Sequence, residues 1–348
     1  MKVRTPDYYG AFRCTMGECP DTCCRDWEIV LDEDTRRFYE TVPGELGEQL
    51  RAAMEAGGGE YLALDHALCP FLNDAGLCRI QLAYGEEHLT RNCATYPRFA
   101  EEYGALREWA LAISCPEAAR MILTAPDPTA FDLVTTDEPL TETNDLDASL
   151  FFCLTAARKK FYALATERTL PFADRLALCA VLADRVQNHI SREQYGAAQE
   201  TLASFDPTQE AAHLNRTRVG AERSLVVLLD TLRGMEILTP RYRALLDAAQ
   251  PTDACAMDDP AWENLLVYFL YRYVLKAAVD GKLFSRVRAA VCGCLALRML
   301  MGQGEASREK MIDLAHLYGR EIEHNSENMA NLLCIPLNRK QLLRAVLC

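Results

Sequence analysis

From about residue 147 onward, apolar residues recur at spacings of three and four. The stretches DASLFFCLTAARKKFYALAT, ADRLALCAVLADRVQNHI and SLVVLLDTLRGMEIL carry the pattern. That period places them along one face of a helix and predicts an all-helical C-terminal part. Segments 260–280 and 305–324 keep the same period, and no fixed-length repeat underlies them. In 260–280 a polar line interrupts the apolar faces, with Asn264, Tyr268, Arg272 and Lys276 four residues apart. In 305–324, Met311, Leu314, Ala315, Tyr318 and Ile322 form the apolar face. His316, Arg320, Glu323, His324 and Glu327 gather opposite it.

The first third reads differently. WEIVLD (27–32) alternates like a short strand, and DEDTRRFYETV then starts a helix with acidic residues at its positive end. Residues 98–114 read as two strands turning near Gly104, and they deliver Cys115 to a helix start with Pro116 in the first turn. AGGGE (56–60) is a poor phosphate cradle, because no clear strand-to-helix turn surrounds it. Pro, Thr and Asp crowd the stretch before residue 147 with little periodicity. The expected architecture is mainly α: a Cys-rich part at 1–125 with a few short strands, a linker at 126–146, and a helical domain at 147–348.

Composition narrows the function classes. The 348 residues are 50% hydrophobic and 25% charged, as in ordinary globular chains. A net charge of -13 argues against a nucleic-acid backbone or an anionic membrane as the main partner; it is compatible with a basic or amine-bearing substrate, though overall acidity mostly signals solubility. MKVRTPDYYG has no apolar h-region, so no secretory signal is expected. No apolar run reaches the roughly 20 residues of a membrane span. The expected location is the cytoplasm, where thiols stay reduced and bind metal rather than pair as disulfides.

Eight of the 15 cysteines fall between residues 14 and 115: Cys14, Cys19, Cys23, Cys24, Cys69, Cys78, Cys93 and Cys115. Several sit beside Pro or Gly in segments that can bend around an ion, and the thiolate is the ligand that zinc and iron–sulfur clusters take. Cys23, Cys69, Cys78 and Cys93 lead the ligand candidates, followed by Cys19 and Cys24, then Cys14 and Cys115. One tetrahedral zinc or one [4Fe-4S] cluster needs four thiolates, so either two sites exist or some of these cysteines are structural. The adjacent pair Cys23 and Cys24 is expected to diverge. Paired C-x₂-C knuckles of zinc ribbons are absent, and after Cys19 and Cys23 the third position of a C-x₃-C-x₂-C motif is Asp26. Cys153, Cys179, Cys292, Cys294, Cys334 and Cys348 read as small apolar residues on helices or near the end, and Cys255 as a loop residue.

CPDTCCRDWEIVLD (19–32), LCPFLNDAGLCRIQLAYGEEHLTRNCATYPR (68–98) and SCPEAARMIL (114–123) resemble the flagellin lysine-N-methylase family. So do ENLLVYFLYRYVLKAAVDG (263–281) and IDLAHLYGREIEHNSENM (312–329). The cysteine part alone is also similar to the broader zinc- or iron-chelating CxxCxxCC domain. What the resemblance implies is S-adenosylmethionine (SAM)-dependent methylation of surface lysines of flagellin, with an iron–sulfur cluster in the enzyme. No glycine-rich strand-to-helix turn of the Rossmann kind is present, so SAM would be held otherwise. On that reading Arg272 is the candidate for the SAM carboxylate, and Glu323 and His324 are the candidates for handling the lysine amine. The same polar residues also read as plain solvated faces, and a zinc or redox module without transferase activity is the rival function.

Overall fold

The structure, a computed structural model, describes residues 1–65, 67–139, 146–217, 219–302 and 304–347. A four-stranded sheet lies at one side of a helical body. Strand β1 (Lys2–Pro6) is at its centre, running parallel to β5 (Leu106–Leu111) and antiparallel to β6 (Phe131–Thr135). Strand β4 (Arg98–Tyr103) pairs with β5 across the turn at Gly104, where a φ of 59° calls for glycine. A second, two-stranded sheet joins β2 (Ile29–Val30) to β3 (Tyr61–Leu62).

The mainly helical class, with short strands confined to the first third and its border, is what the periodicity predicts. The apolar core, however, does not follow the division at 126–146. One large core runs through the helices of the C-terminal part and takes in Tyr103, Leu106, Ile113, Ala119, Ile122 and Leu123. The main sheet and the Pro116–Thr124 helix therefore pack as part of the helical body. A smaller core under residues 29–80 holds Ile29, Tyr39, Leu50 and Phe71, with Cys24, Cys69, Cys78 and Cys93 around it. Inside the expected linker, residues 131–135 form an edge strand whose last four side chains are exposed. A strand open on both faces leaves no apolar alternation to read. The rest of that linker includes 140–145, outside the described residues.

The 260–280 segment is an α-helix over Pro260–Tyr273, a 3₁₀ turn at Val274–Lys276 and a short helix Ala277–Asp280. It is buried nearly all round. The 305–324 segment is an α-helix over Arg308–Tyr318 that opens into a π-helical turn at Gly319–Glu323. Among the described residues no helix is long and apolar enough to cross a membrane. Cys153, Cys179, Cys292 and Cys294 are buried free thiols in the body, Cys255 is half-buried and Cys334 is exposed. Cys348 lies outside the described residues.

Candidate functional site

The first layer of the site is built by the thiol loops. Asp32 caps the Glu33–Thr41 helix through Thr35 N at 3.0 Å, and its second oxygen accepts Arg91 N at 2.9 Å. One carboxylate thus fixes both that helix and the short Arg91–Thr95 helix that carries Cys93. Cys69 N donates to Cys24 O at 2.8 Å, which holds those two segments side by side. Cys78 is the N-cap of the Arg79–Tyr84 helix. Around the small core the structure gathers Cys24, Cys69, Cys78 and Cys93, while Cys23, exposed beside Cys24, senses Cys93 as well as Cys14.

The thiols of this group feel one another's charge. Burial pushes Cys69 up to about 12 and Cys93 up to about 11, and it raises Cys78 as well. Cys24 is brought down, chiefly by its neighbour Cys23 and against the effect of burial. Cys24 in turn raises Cys23.

Cys14, Cys19 and Cys115 form a second group, linked by mutual charge effects, and Cys23 senses Cys14 from the side. Cys115 caps the Pro116–Thr124 helix, as the sequence suggests, yet burial outweighs the N–H groups there and pushes its thiol up to about 11. Among the described residues no three His, Cys, Asp or Glu side chains are gathered closely enough to hold a metal ion as placed. The donor set is still one that zinc and iron–sulfur clusters take, four thiols around one small core.

The second layer lies where these loops meet the helical body. Arg320 Nη1 donates to Asp21 Oδ2 at 2.7 Å, and its Nη2 donates to Asp26 Oδ2 at 2.9 Å and to Arg25 O at 3.1 Å. His316 Nε2 lies 3.2 Å from Asp21 Oδ2. Deeper in, the Glu323 carboxylate accepts from Tyr268 Oη at 2.7 Å and from Tyr273 Oη at 2.5 Å, with 1% of its side chain exposed. Tyr268 Oη also accepts Ile113 N at 3.0 Å. Next to Ile113, Ser114 Oγ is 2.6 Å from His324 Nε2 and 3.0 Å from Tyr96 Oη. His324 keeps an exposed edge, while the packing around its ring lowers the imidazole below its usual range.

The polar line of the 260–280 segment is therefore turned largely inward. Asn264 is buried and donates to Ala125 O at 2.9 Å. The Arg272 guanidinium lies over the Phe99 ring at 3.7 Å, with its Nε 3.8 Å from Glu323 Oε1, and Lys276 pairs with Glu101 at 2.6 Å. Burial opposes the Arg272 charge, but Glu323 and its neighbours outweigh it. A SAM carboxylate reaching Arg272 would have to share it with Glu323. On the 305–324 segment the polar side divides, His316 and Glu323 inward, His324 and Glu327 with open surface. Sequence reasoning names Glu323 and His324 but not their partners Tyr273, Ser114 and Tyr96. Tyr268 stands on the polar line and Ser114 inside the SCPEAAR block, yet neither pattern reveals what each touches.

Fold and site together define a mainly helical protein with a thiol-rich layer seated on its body through charged and phenolic side chains. The family model for the FliB lysine N-methylase C-terminal domain matches residues 158–335, just over half of the chain. The chain belongs to that lysine N-methylase family, in agreement with the blocks at 263–281 and 312–329. A lysine-N-methylase of Salmonella typhimurium is 29% identical over 133 residues, 36% of this chain and 33% of that protein. The flagellar biosynthetic protein FliU of Salmonella muenchen is 29% identical over 133 residues, 36% of this chain and 79% of that protein. The match thus spans about a third of the length of the curated lysine-N-methylase. No solved structure matches the chain.

Proposed function

We propose that this protein transfers methyl groups from SAM to lysine side chains of flagellin, in the cytoplasm, with a thiol-ligated iron–sulfur cluster. The observation that carries the reading is the position of Glu323 and His324. Both lie within the matched lysine N-methylase domain, in and just after one π-helical turn, beside the seam with the thiol loops. A lysine ammonium titrates near ~10.4, so it must shed a proton before its nitrogen can attack a methyl group. His324, held neutral by its surroundings and fixed by Ser114, is the group to take that proton. The amine lone pair then forms the new N–C bond as the C–S bond breaks, and the sulfonium becomes a thioether. Glu323, locked by two phenols and beside Arg272, fixes the turn that carries His324.

Cys24, Cys69, Cys78 and Cys93 are the residues that would hold the cluster. With all four corners taken by these thiolates, such a cluster would order the loops around the small core and leave no open iron for SAM. The acidic balance of the chain favours approach of a lysine-bearing surface.

The test is anaerobic incubation of purified protein with flagellin and methyl-labelled SAM. The expected result is label on flagellin lysines, falling by about 10²-fold in His324→Ala with the fold unchanged. Absence of label from flagellin with the metal-loaded wild type would refute the reading.

A further inference from the structure

One guanidinium brackets the Cys23–Cys24 pair. Arg320 binds the carboxylate of Asp21 on one side, and the carboxylate of Asp26 and the carbonyl of Arg25 on the other. These bonds span the loop Thr22–Arg25 like a clasp, and all three charged side chains are mostly shielded from water. Charge-assisted bonds of a planar fork, shielded in this way, hold geometry as well as contributing energy. The loop needs holding. Asp26 has a φ of 60°, in the left-handed region that non-glycine residues enter only when their surroundings fix them.

The mount of the clasp is rigid. Arg320 belongs to the π turn, and the next residue, Glu321, is fully buried. Its carboxylate accepts Leu238 N at 2.7 Å and Thr239 N at 3.0 Å, and its carbonyl accepts Asn328 Nδ2 at 2.8 Å. Gly319 opens the turn, and a Cβ there would stand 2.7 Å from Ser114 N and 2.7 Å from Ile113 Cγ2. Glycine therefore lets the turn lie directly against the segment between β5 and Cys115. The same five residues meet both thiol-bearing segments, and a π turn of this kind is often kept where function requires it.

We infer that Arg320 is a positioning residue that clamps the Cys23–Cys24 loop onto the π turn and so sets where those thiols point relative to the helical body. The inference does not depend on which substrate is methylated or on which metal is bound.

The test compares wild type, Arg320→Ala, Arg320→Lys and the double variant Asp21→Asn/Asp26→Asn, as the full-length protein as purified. Amide hydrogen exchange over residues 20–27 and thiol labelling of Cys24 are read against buried Cys179. In Arg320→Ala, exchange over 20–27 and labelling of Cys24 should rise by about tenfold or more while Cys179 stays protected. Lysine, with charge but no fork, should restore part of the protection, and the double variant should match alanine. Wild-type exchange and labelling in Arg320→Ala would overturn the inference. If Arg320→Ala also exposes Cys179, the double variant decides: local opening at 20–27 supports the clamp, and wild-type protection there refutes it.

Discussion

Glu323 and His324 stand out in the sequence as part of a polar side denser than that of any other helix here, a pattern that also fits a solvated face. The burial of Glu323 and the contacts of His324 do not stand out, because they come from residues far along the chain. Tyr268 reaches Glu323 across 55 positions and Ser114 reaches His324 across 210. The residue scale offers a direct check on the base. Desolvation of the His324 ring, partly offset by Glu323 and reinforced by the charges of Arg272 and Arg320, favours the neutral form. Ser114 and Tyr96 complete its surroundings. Its contribution to stability is then present above the unfolded value of ~6.5 and is lost as pH falls through the lower folded value. NMR titration of the ring protons should give a midpoint below ~6.5. A midpoint at or above it would remove His324 as a neutral base.

At the scale of elements, the apolar period locates the helices well and the strands of the first third in outline. The β4–β5 pair around Gly104 and the helix after Cys115 are legible, since turn glycine and first-turn proline leave local marks. Strand β6 is not, because its exposed side chains obey no burial pattern. Nor is the π turn: Met311, Leu314, Ala315, Tyr318 and Ile322 keep a helical spacing through it, so the widened turn shifts no apolar residue out of the core. The joint between the sheet and the body is a buried ion pair that no local pattern reveals. Arg158 on the Ala148–Ala165 helix donates to both oxygens of Glu108 on β5, at 2.7 and 2.5 Å, and Arg4 on β1 binds the same carboxylate. Glu108→Gln would leave the Arg158 charge buried without a counter-ion. The expected loss is about 3–5 kcal/mol, read from the denaturant midpoint. A shift within error of zero would mean the sheet is held by apolar packing alone.

For the whole molecule, the cysteine count separates a thiol-rich region from a helical one, but the cores draw the division elsewhere. The sheet and the Pro116–Thr124 helix share the large core, and the region around Tyr39 and Phe71 keeps its own. Sequence spacing alone could not sort eight thiols, because loop paths decide which of them meet. The grouping gives an expected pattern for metal content. Serine at Cys24, Cys69, Cys78 or Cys93 should strip most of the bound iron or zinc from purified protein, while Cys179→Ser should leave it in place. Full metal content in all four variants would remove that set. The most direct measurement for the account as a whole is mass spectrometry of flagellin co-expressed with this protein. The account expects methyl groups on flagellin lysines with the wild type and their near-complete loss with His324→Ala. Unmodified flagellin beside folded, metal-loaded wild type would contradict it.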